Sequence, residues 1–140
     1  MSAQRLIRAV VVGWLAVGEG LLAQEKPEQM AQRSDEAWLE RVDASKYPES
    51  WQSASAMFRS AVTEESWDKT IEAVRTPLGK VETRKLIKAT YTKTLPGAPD
   101  GEYVVIQYQT SFEHKKEAVE TVISTREKDG GWRLAGYFIK

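Results

Sequence analysis

Apolar positions recur with a helical period in the first half of this chain and alternate in the second. Met30, Ala31, Trp38 and Val42 fall near one stripe and predict a helix over residues 31–43. Trp51, Ala54, Phe58, Ala61 and Val62 follow i, i+3, i+7, i+10, i+11, the spacing of a single buried face. Pro48 precedes them at a first-turn position, where its missing N–H costs nothing. A third helix starts at Thr63, whose hydroxyl can cap it, with Glu64 and Glu65 at the positive end of its dipole. Trp67, Thr70, Ile71 and Val74 form its inner face, and Thr76-Pro77-Leu78-Gly79 stops it.

After Gly79 the pattern is that of strands. Residues 81–94 are rich in Thr, Val, Ile and Tyr, and Leu95-Pro96-Gly97-Ala98-Pro99-Asp100-Gly101 is a rigid turn. Residues 102–113 and 118–128 alternate, Asp129-Gly130-Gly131 signals a hairpin, and residues 132–139 close the set. A turn centred on His114-Lys115 sets Ile106 opposite Ile123 and Tyr108 opposite Thr121. One face then holds Val104, Ile106, Tyr108, Phe112, Val119, Ile123, Trp132, Leu134 and Phe138. The other holds Tyr103, Gln107, Gln109, Glu120, Arg126, Arg133 and Tyr137. The first strand fits less well, which points to a bulge. The fold class expected is α+β: three N-terminal helices packed on a four-stranded antiparallel meander.

The first residues obey a different rule. Arg5 and Arg8 precede an apolar run from Ala9 to Gly18, and Leu21-Leu22-Ala23 makes a small-residue exit. This is the layout of a secretory signal peptide, residues 1–23, cleaved at Ala23|Gln24 or at Gly20|Leu21. The run is about half the roughly 20 residues that span a bilayer, so no permanent membrane anchor is expected. Residues 24–30 read as a flexible lead-in and residues 31–140 as one domain. A periplasmic or secreted location follows.

Charge narrows the partners. Twenty basic residues balance twenty acidic ones, which removes the electrostatic case for nucleic acid or an anionic membrane. Cysteine is absent, so an exported domain here is held by packing alone.

Candidate chemistry is sparse. The only histidine, His114, falls in a hairpin turn with no orienting partner nearby in sequence. No Cys, His pair or spaced carboxylate loop suggests a metal, and no cofactor motif is present. A nucleophilic triad lacks its base. Proton-transfer chemistry would need a carboxylate in an apolar pocket beside a hydroxyl donor. Glu120 is the strand carboxylate to consider, with Tyr103, Tyr108 and Tyr137 as hydroxyls, but the expected register turns Glu120 away from the helices. An ion pair with Arg84 or Arg126 is the simpler role. Tyr47, Arg75, Tyr91 and Trp132 fall at element ends, where they can rim a ligand pocket. Gln107, Gln109, Glu120 and Tyr137 on the polar sheet face are a candidate homodimer interface.

Several phrases resemble a known family. Arg75-Thr76-Pro77-Leu78-Gly79, Arg84, Leu95 through Tyr103, and Trp132-Arg133-Leu134-Ala135-Gly136-Tyr137, together with Trp51 and Trp67, are similar to a bacterial family of exported proteins known as domain of unknown function 4019. The resemblance implies a small secreted or periplasmic protein and supplies no catalytic residues. The element order is also similar to the cystatin-like and nuclear-transport-factor-like superfamily, where a curved sheet wraps a helix into a cone; that likeness carries no chemistry. Two function classes stay open. The favoured one is a non-catalytic module that binds a small molecule or a protein outside the cytoplasm. The alternative is a cofactor-independent acid–base enzyme using a helix–sheet cavity.

Overall fold

The computed structural model describes residues 25–140, and the expected leader, residues 1–23, lies outside the described residues. Among the described residues four α-helices precede four strands: α1 (Pro27–Asp43), α2 (Tyr47–Gln52), α3 (Ala56–Ala61), α4 (Glu64–Arg75), β1 (Val81–Thr92), β2 (Tyr103–Phe112), β3 (Lys115–Arg126) and β4 (Trp132–Ile139). The strands form one antiparallel sheet in the order β1-β2-β3-β4, and the helices cover one face of it. The expected α+β meander is therefore the fold. No helix among the described residues is long and apolar enough to cross a membrane.

Helix boundaries differ from the pattern in two places. α1 begins at Pro27 rather than Ala31, because Pro27 sits in the first turn and the Gln29 side chain accepts from the Lys26 N–H at 3.1 Å. The residues expected to be a flexible lead-in thus contribute a helical turn. The long second helix is broken into α2 and α3 at Ser53-Ala54-Ser55. Ser55 caps α3 by accepting from the Phe58 N–H at 3.1 Å, and its own N–H is drawn to the Leu134 carbonyl at 2.8 Å. A tertiary hydrogen bond outcompetes one more turn of helix.

The core is aromatic and tied together by polar tips. Trp38 and Trp67 lie 6.1 Å apart, and Phe58 meets Trp67 edge-on at 5.0 Å. Both indoles donate to fully buried Ser50, Trp38 to its carbonyl and Trp67 to its Oγ, each at 2.9 Å. Beneath them lie Val104, Ile106, Tyr108, Val122 and Leu134 of the sheet. Trp51 is half-buried at the margin of this core and donates to the Val62 carbonyl at 2.7 Å. His114 is exposed in the β2–β3 turn, as expected.

The register corrects the expected faces. The turn leaves Phe112 opposite Lys115, and an extra residue in β3 then sets Thr110 opposite Ala118. Ile106 consequently faces Val122 and Tyr108 faces Glu120, one residue away from the expected pairing. Because side chains alternate, that slip turns Ala118, Glu120, Val122 and Ser124 inward and sends Val119 and Ile123 outward. β4 carries a second shift: Gly136 pairs with Ile123 but Leu134 with Ser124, leaving Ala135 bulged. Parity inverts across it, so Leu134 and Tyr137 share the inner face and Phe138 points out, 60 % exposed. The bulge expected in β1 is present twice, around Glu82 and around Ile87.

Candidate functional site

The slip in β3 builds a buried ionic network. Glu120, with no exposed surface, accepts four hydrogen bonds from three residues. Arg84 of β1 donates to it through Nε at 2.7 Å and Nη2 at 3.2 Å, Thr110 through its hydroxyl at 2.5 Å, and Tyr137 through its phenol. Arg84 reaches on to Asp43 at the end of α1, with Nη1 at 2.8 Å and Nη2 at 3.1 Å. Arg75 at the end of α4 meets the same carboxylate at 2.9 Å. Burial alone would raise the Asp43 carboxyl, but hydrogen bonds and charge from Arg84 and then Arg75 outweigh it and hold it below the ordinary range. Burial and the neighbouring Glu120 carboxylate push the Tyr137 phenol up, so it stays a donor. Arg75 is 5 % exposed, stacks over the Phe112 ring at 5.1 Å, and leaves Nε and Nη1 without a protein partner. Two acids and two arginines thus clamp α1, α4, β1 and β3 together, and the Thr110 and Tyr137 hydroxyls join β2 and β4 to them. Each Glu120 oxygen already accepts two hydrogen bonds, so the carboxylate has little capacity left for substrate chemistry. Of the two ion-pair partners expected for Glu120, Arg84 is the one used; Arg126 pairs with Glu102 at 3.5 Å.

A second buried acid escaped the pattern reading. Asp35 of α1 is 1 % exposed; Oδ1 accepts from the Ser124 hydroxyl and Oδ2 has no partner. Burial in the apolar layer raises its carboxyl to about 8, with the Ser124 bond opposing that rise. The Tyr108 hydroxyl is also unpartnered, and burial followed by the charges of Asp35 and Glu36 pushes it up. Tyr108 lines a shallow groove of about 320 Å³ between α1 and β1, with Gln32, Glu36, Leu39, Arg84 and Leu86. The sequence did hold a clue: Ala31, Asp35, Trp38, Leu39 and Val42 share one helical stripe, and Asp35 is its only charged member.

The four expected rim residues do not form one rim. Tyr47 and Arg75 share a groove of about 280 Å³ with Val42, Asp43, Gly79 and Lys80. Tyr91 and Trp132 pack edge-on at 6.5 Å, and the Tyr91 hydroxyl donates to Glu102 at 3.0 Å. Arg75 lies over Phe112, whereas Tyr91 is opposite Val104. Eight residues of β2 separate those positions, about 26 Å at ~3.3 Å per residue. The expected interface is also divided: Gln109 is exposed and Gln107 half-buried on the outer face, while Glu120 and Tyr137 are bonded to each other inside. Among the described residues no group of three or more His, Asp or Glu side chains could hold a metal ion.

Apolar surface is open at Leu86 and Ile87 of β1, and also along the edge of the sheet at β4. Two clefts flank this strand, one of about 240 Å³ walled by Trp67, Ile71, Val74 and Ile139, the other of about 260 Å³ walled by Met57, Leu95, Pro96 and Ile123. Phe138 lines both, and Val74 beside the first is 42 % exposed. Val119 and Lys140 exchange both backbone hydrogen bonds at 3.0 Å. In an antiparallel pair such exchange falls on alternate residues, so Tyr137 and Ile139 direct their N–H and C=O groups away from β3. The upstream part of this edge is closed by Ser55 on Leu134. The opposite edge, β1, is guarded by two bulges and by Lys85 and Lys88. From Ala135 to Ile139 β4 has no charge, and no bulge follows Ala135.

Residues 34–137 match the family described as Protein of unknown function (DUF4019), so the chain belongs to that family. Comparison with the curated proteins gives no match.

Proposed function

We propose that this chain is an exported protein-interaction module that receives an extended, apolar segment along the edge of β4. The observation that carries the reading is the unpaired backbone of Tyr137 and Ile139 lying between two apolar clefts. Added strands gain affinity from main-chain hydrogen bonds and specificity from pockets for alternate side chains. Two clefts on opposite sides of one edge strand suit that alternation. Export is supported by Arg5, Arg8 and the apolar run after them. The helix-covered sheet fits the cystatin-like cone in outline, and the saturated Glu120 supports a binding role over a catalytic one.

Selecting short peptides from a random display library on the purified protein, then mapping amide shifts, tests this. Selected peptides should carry apolar residues at alternate positions and shift the Tyr137 and Ile139 amides. Ile139→Pro removes an outward N–H without touching the β3 pairing and should abolish binding. Peptides that bind equally well to Ile139→Pro would refute the proposal.

A second reading rests on Asp35. A carboxyl that titrates near neutrality with one free oxygen, electrostatically coupled to a free phenol, is the pairing that cofactor-independent acid–base catalysis uses. It would act on a small substrate in the α1–β1 groove through Tyr108, which lines that groove, with Asp35 buried behind it. Saturation of the protein with such a substrate should shift the Asp35 carboxyl resonance and its midpoint. A midpoint unmoved by any ligand that occupies the groove would remove this reading.

A further inference from the structure

We infer that the occupant of the β4 edge is a second copy of this chain, paired antiparallel to the first around a two-fold axis at Phe138. The inference rests on the reading of β4 as a docking edge and names its partner.

The argument is one of self-complementarity. The outward-facing residues are Tyr137 and Ile139, two apart, so an antiparallel copy can set Tyr137 opposite its Ile139 and Ile139 opposite its Tyr137. Four backbone hydrogen bonds then form with no group on this stretch left unmatched. Phe138 falls on the axis as a non-hydrogen-bonded pair, the closer kind, with Cα atoms about 4.5 Å apart. Its ring, 60 % exposed in one copy, meets its equivalent on the outer face. Lys140 comes opposite Gly136, so no like charges meet across the pairing. A shift by two residues in either direction would lose half of this matching. Such a contact is isologous and closes on itself; the remaining edge, β1, exposes Leu86 and Ile87 but is interrupted by two bulges and flanks them with Lys85 and Lys88, which opposes addition of a third copy. Val74 and the cleft beneath it flank the junction and add apolar surface next to the paired strands.

The chain has no cysteine, so Phe138→Cys supplies the only thiol. Cα atoms about 4.5 Å apart are within disulfide range. Mild oxidation of the Phe138→Cys protein should give a covalent dimer, while Gln109→Cys on the exposed outer face should stay uncrosslinked. Sedimentation of the unmodified protein should show a concentration-dependent dimer, and Phe138→Asp should weaken it by about tenfold or more, since like charges then face each other on the axis. Crosslinking through Gln109→Cys instead would mean pairing through the sheet face and would overturn the inference. A monomer at every concentration would overturn it too. In that case selected peptides that still shift the Tyr137 and Ile139 amides preserve the docking edge with a different partner, and peptides that do not remove both.

Discussion

Arg84→Met is the sharpest probe of how this fold is held together. Methionine keeps most of the apolar stem but deletes the only cation that touches Glu120. Glu120 would keep its bonds from Thr110 and Tyr137 and lose the two from Arg84. A fully buried carboxylate stripped of its cation carries an uncompensated desolvation cost, and breaking such a pair typically costs about 3–5 kcal/mol. Asp43 is part-exposed and keeps Arg75, so its share is small, about 1 kcal/mol or less. The Glu120 term decides the outcome. Urea denaturation followed by tryptophan fluorescence reads the loss, because Trp38 and Trp67 are both buried. Adding Glu120→Leu to Arg84→Met removes the stranded charge and leaves only the Thr110 and Tyr137 hydroxyls unpaired. The double variant should therefore be more stable than Arg84→Met alone, with a coupling energy of about 2 kcal/mol or more. A loss below about 1 kcal/mol for Arg84→Met, or additivity within ~0.5 kcal/mol, would show that the network is not a buried ion pair in energetic terms.

Other outcomes follow from the same geometry. The Asp35 carboxyl is raised in the folded state, so the protonated form favours folding: its contribution is complete below the unfolded value near 3.8 and is lost as pH rises through about 8. The stability of the wild type should therefore fall relative to Asp35→Asn between those limits, and parallel pH profiles from denaturation curves would contradict the burial of Asp35. Gly79→Ala should cost about 1–3 kcal/mol, because φ is +76° with extended ψ and a Cβ there would stand 2.9 Å from Glu113 Cβ; an unchanged melting midpoint would argue against that approach. Trp51→Ala should cost about 2–3 kcal/mol, less than a central tryptophan, because Trp51 is half-buried, and a loss below ~1 kcal/mol would detach it from the core margin. His114→Ala should leave the unfolding free energy within about 0.5 kcal/mol, since the side chain is exposed in its turn.

The legible parts of this fold are those where local chemistry and periodicity agree. Thr63 caps α4 by accepting from the Ser66 N–H at 3.2 Å, as its place before two glutamates predicts. The β3–β4 hairpin closes over Gly130, at φ +88°, with the Glu127 N–H on the Gly131 carbonyl at 2.7 Å. The alternation of β2 gives its inner face correctly from Val104 to Phe112. Failure begins where one residue too many enters a strand. No local signal marks the extra residue of β3 after Lys115, because the turn itself is short and polar with either centre. That one slip hid Glu120 inside the protein, where strand alternation placed it outside. The Ala135 bulge did the same for Tyr137 and exposed Phe138.

Both slips fall on residues that matter most to the site, and the reason is physical. A register shift is the means by which a sheet turns a polar side chain into its own core, and a strand holds such a shift only where a tertiary partner compensates for it. Arg84 compensates for the inward Glu120, and Glu120 in turn fixes Tyr137 after the bulge. With Tyr137 anchored inward by its hydroxyl, Phe138 has only the outer face available, and the apolar edge between Ala135 and Ile139 becomes a consequence of the buried network. Weakening the network should then loosen the edge: Arg84→Met, kept folded at low temperature, should show faster hydrogen exchange at the Phe138 amide, which bonds to β3, than at Gln107 in the sheet interior. Equal acceleration at both amides would mean that the network supports the whole sheet evenly and does not set the conformation of β4.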